Sequence, residues 1–276
     1  MILVTGAAGN VGGEVVRALL DRGEPVRALT RDGAGPGLPD GTQRVAGDLN
    51  RPDSLAPALD GASGLFLLPG YQDMPGLLAA ARRAGVRRVA LLSGGSAGDG
   101  DLTNAVSAYM IRSEEAVHAS GLAWTVLRPS AFMSNAFRWR PQLRAGDLVR
   151  APFAGVRNAV TDPADIGAVA ALALVSDAHA GQTYRLTGPQ PLLPAEQVAI
   201  LARVLGRPLR FEGQPDDEAR QEMSAAMPPE YVDAFFRFYA DGELDESMVL
   251  PTVPDLLGRP ARTFEQWASA HAAAFG

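Results

Sequence analysis

The stretch Val4–Gly12 reads V-T-G-A-A-G-N-V-G, with a glycine at every third position from Gly6 onward. The apolar run Ile2–Thr5 precedes the glycines, and apolar residues at helical spacing follow them. A strand that turns tightly into a helix brings backbone N–H groups and the positive end of the helix to one point. We therefore expect a turn that holds a dinucleotide pyrophosphate, with Gly9 beside the phosphates and Gly12 at the helix–strand contact.

Short apolar runs alternate with helix-like segments through the first half of the chain. After the first strand, the pattern predicts strands at Val26–Thr30, Gln43–Ala46, Leu65–Leu68, Val89–Leu92 and Trp124–Leu127. It predicts helices between them at Asp53–Leu59, Met74–Ala84 and Asn104–Ser120. Such alternation is typical of βαβ units and a parallel sheet. We expect an α/β fold, a doubly wound parallel Rossmann sheet with a smaller C-terminal α+β substrate lobe.

The regular alternation of strand-like and helix-like segments ends after residue 129, which suggests a division into two domains. We assign residues 1–150 to a dinucleotide-binding Rossmann domain and residues 151–276 to a small substrate-binding lobe. A helix predicted over residues 162–176 starts with a capping Asp162 and Pro163, and we expect it to pack with the first domain. Other predicted elements are loop and short strand over Arg140–Arg157, a strand at Tyr184–Thr187, and helical segments at Pro194–Leu205, Gln214–Gly242 and Thr263–Ala274.

Composition excludes several kinds of chemistry. The chain has no Cys, which removes disulfides, thiolate catalysis and Cys-ligated metals. All 25 basic residues are Arg, so Schiff-base and pyridoxal chemistry, a Walker lysine and a Tyr–Lys dyad are absent. The three histidines, His118, His179 and His271, fit no ligand spacing, and we expect no metal.

Charge and hydropathy bear on partners and location. A net charge of −6 argues against nucleic acid as the main partner. No apolar run approaches the roughly 20 residues of a membrane span, and no basic leader with a cleavage site precedes the first strand. We expect no membrane contact and a cytoplasmic location, and homo-oligomerisation stays open.

The residues that end the second and third strands indicate the cofactor. An Arg at the end of the second strand accommodates the 2′-phosphate of NADP, whereas an acid binds the ribose of NAD. Arg31 follows the second strand and favours NADP(H); Asp32 leaves NAD(H) open, and a solvated surface role for Arg31 is the alternative. After the third strand, Asp48 is suited to accept from the adenine amino group with Leu49 against the ring, or to cap the next helix.

The remaining cofactor contacts follow from the strand ends. The fourth strand ends in Leu68-Pro69-Gly70, where small residues would let the backbone pass the cofactor. The predicted cofactor-binding set is Thr5, Gly6, Gly9, Asn10, Val11, Gly12, Arg31, Asp48, Leu49, Leu68, Pro69, Gly70, Ser93, Gly94, Pro129, Ser130 and Phe132.

These motifs together resemble the NmrA-like group of atypical short-chain dehydrogenases/reductases over nearly the whole chain. Besides the glycine turn, Arg31 and Gly47-Asp48-Leu49, the resemblance includes Ser120–Pro129, Phe132–Asn135, Asp165–Gly167, Gly181–Tyr184 and Gly258–Pro260. It implies a Rossmann domain, a small C-terminal substrate lobe and a cleft between them. The group includes quinone reductases, phenolic-ring reductases, tailoring enzymes for aromatic natural products such as polyketides, and NADP-binding redox sensors that catalyse nothing.

The resemblance carries catalysis less well than cofactor binding. Classical members use a Ser, a Tyr and a Lys four residues after the Tyr, in which the Tyr donates a proton. Ser93 stands near the Ser position and Tyr109 lies on the following helix, but Ser113 takes the Lys position. Ser93 and Tyr109 are therefore catalytic candidates, and contact with substrate or cofactor is the alternative for Tyr109.

The resemblance places the nicotinamide wall at Pro129, Ser130, Phe132 and Met133, with core packing as the alternative. Candidate substrate residues are Met133, Asn135, Trp139, Phe153 and Phe235. Asn135 is equally suited to cap a helix, and the aromatic residues to pack in a core.

We predict an NADP(H)-dependent oxidoreductase acting on a quinone, ketone or polycyclic aromatic, a small planar hydrophobic substrate, by reduction or oxygenation. The alternative is a non-catalytic NADP(H) redox sensor that binds a protein partner. A nucleoside-sugar epimerase is a third hypothesis.

Overall fold

The computed structural model describes residues 1–35 and 37–276, and within them seven strands form one parallel sheet in the order β3-β2-β1-β4-β5-β6-β8. Two further strands, β7 and β9, pair with each other in parallel. The strands are β1 Ile2–Val4, β2 Val26–Thr30, β3 Gln43–Ala46, β4 Gly64–Leu67, β5 Arg88–Leu92, β6 Ala123–Pro129, β7 Leu148–Ala151, β8 Gln182–Leu186 and β9 Arg210–Gly213. The predicted doubly wound α/β fold is confirmed.

Helices connect most of the strands, in places with a 3-10 turn beside them. The α-helices are α1 Asn10–Leu20, α2 Ala56–Leu59, α3 Met74–Arg83, α4 Ala105–His118, α5 Arg140–Ala145, α6 Pro163–Val175, α7 Pro194–Leu205, α8 Asp216–Ala226, α9 Pro229–Tyr239, α10 Thr252–Leu257 and α11 Phe264–Ala270. Among the described residues, no helix combines the length and hydropathy that crossing a bilayer requires.

The strand order reverses at β1, which pairs with β2 on one side and β4 on the other. Because all neighbours are parallel, the carboxyl ends of these strands meet at one edge of the sheet. A reversal of this kind opens a crevice at that edge, where doubly wound folds bind their ligands. The loops after β1, β2, β3 and β4 are therefore the place to look for a cofactor site.

The centre of the sheet is buried on both faces. Leu3, Leu65 and Leu91, from β1, β4 and β5, join one core cluster with Leu77 and Leu78 of α3. Strands covered on both faces consist of continuous apolar runs, and the central strands could therefore be predicted from the sequence. The edge strand β3 is mostly exposed.

Helix α6 packs against α1, although about 140 residues separate them in the chain. A Cβ built on Gly167 would lie 2.6 Å from the carbonyl carbon of Glu14, so only glycine permits this approach. The helix that carries the N-terminal glycine turn is therefore backed by a distant segment.

The chain divides into two compact units. The first consists of Met1–Asp101, Ser107–Pro129 and Pro163–Leu186; the second consists of Leu102–Val106, Ser130–Asp162 and Thr187–Gly276. This differs from the division at residue 150 expected from the sequence. The chain leaves the first unit at Ser130 and returns to it for α6 and β8, because β8 pairs with β6 in the main sheet.

The second unit departs from the predicted elements in four places. The segment Gln214–Gly242 contains two helices, α8 and α9, because Pro228 and Pro229 cannot continue a helix. The segment 140–157 holds α5 as well as the expected strand, and the short β9 and α10 gave no clear periodic signal. The unit's core includes Phe264 and Trp267 of α11 packed with Leu201 of α7.

Candidate functional site

The turn after β1 requires glycine at Gly6 and Gly12, and it leaves little room for a side chain at Gly9. Gly6 adopts φ +60°, and a Cβ there would lie 2.5 Å from the Leu68 side chain. The Gly9 N–H donates to the Gly6 carbonyl oxygen at 2.8 Å and closes the turn. A Cβ on Gly12 would lie only 2.2 Å from that same oxygen, so helix and turn meet at backbone distance.

The N-terminus of α1 has no acceptor of its own. Its cap residue is Gly9, which has no side chain to accept a hydrogen bond, and the first turn carries no acid. The first N–H groups of a helix lack partners within the helix, and they carry partial positive charge. The amides of Asn10, Val11 and Gly12 therefore form a site suited to a pyrophosphate.

A buried threonine fixes the two strands that flank the crevice. Thr5 is fully buried, and its Oγ accepts a hydrogen bond from the Leu68 N–H at 3.2 Å. Its own N–H donates to the Phe66 carbonyl at 3.1 Å. Thr5 thus sets the distance between the end of β1 and the end of β4, where Pro69 lies half-buried in the following loop.

Arg31 and Asp32 behave differently after β2. Arg31 is exposed and makes no hydrogen bond or ion pair within residues 1–35 and 37–276. The Asp32 carboxylate instead accepts from the Ala34 N–H at 3.0 Å, inside its own loop. The available charge at the end of β2 is therefore a cation, which suits the 2′-phosphate of NADP.

Asp48 and Leu49 follow β3 with separate roles. One Asp48 carboxylate oxygen accepts from the Asn50 N–H at 2.9 Å, so Asp48 caps the turn at Asn50 rather than the downstream helix. Asp48 remains exposed. Leu49 is 9% exposed and joins the core cluster, which leaves little of it for a ligand.

Ser113 lies on α4, four residues after Tyr109. Its Oγ accepts from the Gly70 N–H at 3.0 Å and donates to the Tyr109 carbonyl at 2.7 Å. Gly70 has φ +88°, and the Tyr109 ring lies 3.3 Å from the position of a Cβ on it. Ser113 therefore fastens the loop after β4 to α4, and Tyr109 covers that loop.

A cavity of about 520 Å³ lies between this loop and α4 in the first unit. Tyr71 forms part of its wall together with Tyr109 and Met74. Burial raises the pKa of the Tyr71 phenol, Arg31 lowers it, and Asp48 raises it. Tyr71 thus stands within electrostatic reach of both residues, a relationship that sequence spacing does not reveal.

Ser93 belongs to a buried polar network below the end of β5. Its Oγ donates to Glu114 Oε1 at 2.5 Å. Arg128 reaches the same carboxylate with Nε at 2.9 Å and Nη2 at 2.5 Å. The hydrogen bond to Glu114 raises the pKa of the Arg128 guanidinium, so the guanidinium stays charged. The Ser93 proton is committed to Glu114, and sequence reasoning missed both charged partners.

Next to this network, Gly94 passes close to α4. A Cβ on Gly94 would lie 2.7 Å from Met110 Sδ, so the backbone after β5 is held against the helix that carries Tyr109.

The segment after β6 opens the second unit. Ser130 Oγ donates to the Ala159 carbonyl at 2.5 Å, and Phe132 bridges to Thr161. The following 3-10 turn, Met133–Trp139, is capped by Phe132, so Asn135 is not its cap residue and stays half-buried. Met133 and Trp139, at 2% and 9% exposure, lie in the core of this unit and offer little surface to a substrate.

A buried carboxylate supports this segment. Glu246 Oε2 accepts from Asn158 Nδ2 at 2.7 Å and from the Ala131 N–H at 3.3 Å. Tyr239 donates its hydroxyl to the same oxygen at 3.3 Å. Burial first, and then Glu246, raises the pKa of the Tyr239 phenol, which therefore keeps its proton.

Half-buried aromatic rings cluster beside Tyr239. Phe153 lies 5.3 Å from Tyr239 and 5.2 Å from Phe236, measured between ring centroids. Phe235 stacks on Tyr239 at 6.4 Å. Phe153 has φ +57°, the one positive φ outside glycine among the described residues. Such strain persists only where surrounding structure holds it, often at functional sites.

A family model described as NAD(P)H-binding matches residues 6–176. The chain belongs to this family. The match begins at Gly6 and ends after α6, so it includes the glycine turn, the loops after β2 to β6 and the helix that backs α1. The prediction of a nicotinamide dinucleotide cofactor, NADP(H) with NAD(H) left open, is confirmed.

Two curated relatives of this NAD(P)H-binding chain extend over its full length. A Streptomyces griseus protein named (4-alkanoyl-5-oxo-2,5-dihydrofuran-3-yl)methyl phosphate reductase is 40% identical, covering 100% of this chain and 99% of its own. A Xenophilus azovorans NAD(P)H azoreductase is 38% identical with the same coverage.

Solved structures share the fold. An Escherichia coli NADPH-dependent quinone oxidoreductase matches with a TM-score of 0.79 at 22% identity, covering 98% of this chain and 99% of its own. The Citrobacter triphenylmethane reductase complexed with NADP(H) matches with 0.76 at 24% identity and the same coverage. The resemblance to atypical short-chain dehydrogenases/reductases is confirmed.

The first unit carries groups that suit both charged parts of the family's cofactor. The free amides at the start of α1 suit the pyrophosphate, and the uncommitted Arg31 suits a 2′-phosphate. Gly6 and Gly12 have no room for a Cβ within the turn.

Proposed function

We propose that this chain, an NAD(P)H-dependent oxidoreductase, prefers NADPH and reduces a flat conjugated acceptor such as a quinone, ketone or polycyclic aromatic. The observation that carries the proposal is its full-length similarity to two reductases with unlike acceptors, an azo compound and an unsaturated lactone phosphate. Both named compounds contain a conjugated π bond, which points to hydride delivery to an electron-poor conjugated system.

The preference for NADPH is supported by Arg31. The guanidinium is exposed and uncommitted at the end of β2, whereas Asp32 is engaged in its own loop. Arg binds phosphate by charge and paired N–H donors, and NADH offers no phosphate at this position.

The chain's own groups position the reactants and supply little acid catalysis. Bound NADPH supplies a hydride from its nicotinamide ring. Ser93 donates its proton to Glu114, so we assign it to cofactor contact rather than proton transfer. Tyr109 covers Gly70 and lines the cavity, so we assign it a role in contact as well. A quinone needs no protein acid, because water can protonate the reduced product.

We assign acceptor binding to the second unit. Phe153, Phe235 and Tyr239 form a half-buried aromatic surface that suits a planar apolar ring. Asn135 is half-buried and carries an amide that suits an acceptor carbonyl. Pro129, Ser130 and Phe132 stay assigned to the nicotinamide wall.

The test is NADPH oxidation, followed by absorbance, with a quinone, an azo dye, an α,β-unsaturated lactone and a polycyclic ketone as acceptors. We expect acceptor-dependent oxidation with at least one of these, and oxygen uptake separates oxygenation from reduction. Tyr109→Phe should retain most of the activity on a quinone, because we assign Tyr109 to contact and not to proton transfer. Loss of a general acid would instead lower the rate about 100-fold or more.

A redox sensor is the second candidate, favoured by Ser113 in the lysine position and by the committed Ser93 proton. Tight NADPH binding without oxidation by any acceptor would contradict the reductase. A difference between the NADPH and NADP⁺ affinities, with a protein partner that co-purifies, would then support the sensor.

A further inference from the structure

Tyr71 is held in place from both sides of the loop that follows β4. On one side the Gly70 N–H donates to Ser113 Oγ at 3.0 Å. On the other the Gln72 N–H donates to Asn50 Oδ1 at 3.2 Å, and Asn50 belongs to the turn after β3. The backbone on each side of Tyr71 is therefore fixed to a different neighbouring element, and the loop is pre-organised.

The turn after β3 brings Asp48 to the same place. The Asn50 residue that fixes Gln72 donates its own N–H to the Asp48 carboxylate at 2.9 Å. A chain of hydrogen bonds thus links Asp48, Asn50 and the residue after Tyr71. Because β1 lies between β2 and β4, the loops that carry Arg31 and Tyr71 flank the glycine turn.

The phenol has an apolar side and a charged side. The Tyr71 ring packs on the core cluster beneath the loop and is half-buried. Arg31 and Asp48 both act electrostatically on its hydroxyl. Burial raises the pKa of this phenol, so the hydroxyl keeps its proton at neutral pH and remains a donor.

We propose that Tyr71 is a further specificity-determining residue of the cofactor site, donating its hydroxyl to the adenosine 2′-phosphate that Arg31 neutralises. The proposal rests on the preference for NADP(H) given above. A phosphate carries acceptors only, so a neutral donor beside a cation binds it without adding repulsion. The Asp48 carboxylate, which cannot donate to phosphate, is left for the adenine amino group or a ribose hydroxyl.

The experiment measures binding of 2′,5′-ADP and 5′-AMP to the full chain by calorimetry. These probes differ by the 2′-phosphate and lack nicotinamide, so the result does not depend on any acceptor. Tyr71→Phe keeps the ring and its packing but removes the hydroxyl. We expect the affinity for 2′,5′-ADP to fall about tenfold, or about 1.4 kcal/mol, with that for 5′-AMP unchanged.

Two variants serve as controls. Tyr184→Phe removes a half-buried hydroxyl elsewhere in the first unit, where it pairs with His179 Nδ1 at 2.9 Å, and should change neither affinity. Arg31→Ala should lower the affinity for 2′,5′-ADP, and for NADPH, while changing that for 5′-AMP and NADH little.

The outcomes separate this proposal from the proposed function. Equal losses for both probes in Tyr71→Phe would place the hydroxyl at the adenine or in the fold and overturn the proposal. An unchanged preference for 2′,5′-ADP in Tyr71→Phe, lost in Arg31→Ala, would overturn the role of Tyr71 alone. A wild-type chain that binds both probes equally would refute the NADP(H) preference itself.

Discussion

Replacing Arg128 by Met should destabilise the chain far more than the loss of a surface ion pair would. The Glu114 side chain is 4% exposed, and Arg128 supplies two of its hydrogen bonds. After the substitution, Ser93 is the one donor to that carboxylate that remains among the described residues. Removing one partner of a buried pair costs about 3–5 kcal/mol, because the other charge stays buried without compensation. At about 2–4 °C per kcal/mol, the melting temperature should fall by roughly 6–20 °C.

Urea unfolding followed by circular dichroism measures the free energy of unfolding in this comparison. Arg17→Met is the matched control, because Arg17 is 51% exposed and pairs with Glu14 on the surface of α1. Its loss should cost at most about 1 kcal/mol. Glu114→Gln should also cost less than Arg128→Met, since Arg128 is 25% exposed and can reach water.

The double variant Glu114→Gln/Arg128→Met isolates the cause. It removes the carboxylate that Arg128→Met leaves unpaired, so its free energy of unfolding should be higher than that of Arg128→Met alone. The reasoning is refuted by a double variant no more stable than Arg128→Met, or by a loss in Arg128→Met no larger than in Arg17→Met.

Two further predictions test other parts of the chain. Gly12→Ala should abolish NADPH binding, as titration would show, because its Cβ would lie 2.2 Å from a backbone oxygen; retained affinity would contradict the close approach. Hydrogen bonds from the Leu193 amide first, and then from Arg157, lower the pKa of the Glu196 carboxyl. The ionised carboxylate therefore stabilises the folded chain at pH values above the ordinary pKa of Glu, and this contribution is lost as the pH falls through the lowered pKa. The melting temperature of Glu196→Gln should therefore fall less between pH 6 and pH 3 than that of the wild type, and parallel curves would refute this.

The sequence predicted the parts of the fold that depend on local pattern. The glycine turn was legible because three glycines stand between an apolar strand and an amphipathic helix. The position of Arg31 at the end of β2 was predictable because Arg31 directly follows an apolar run. In both cases the residues that act together are close in the chain, so spacing alone carries the geometry.

Contacts between distant residues were not legible. Glu114 reads as one of two acids on a helix, and nothing nearby shows that Arg128 and Ser93 converge on it. Tyr71 lies in a loop without periodicity, and its relation to Arg31 depends on the order of the strands. Trp139 was misleading, because an aromatic side chain looks the same in a pocket and in a core.

The return of the chain to its first unit determines when that unit can fold during synthesis. Helix α6 and strand β8 lie after residue 162, so the first unit is incomplete until Leu186 has been synthesised. Until then the inner face of α1 has no α6 to cover it, and the outer edge of β6 has no partner. Exposed apolar surface and strand edges are where newly made chains aggregate. A ribosome-bound fragment ending near residue 150 should therefore be protease-sensitive and unable to retain NADPH, even though it carries the whole glycine turn.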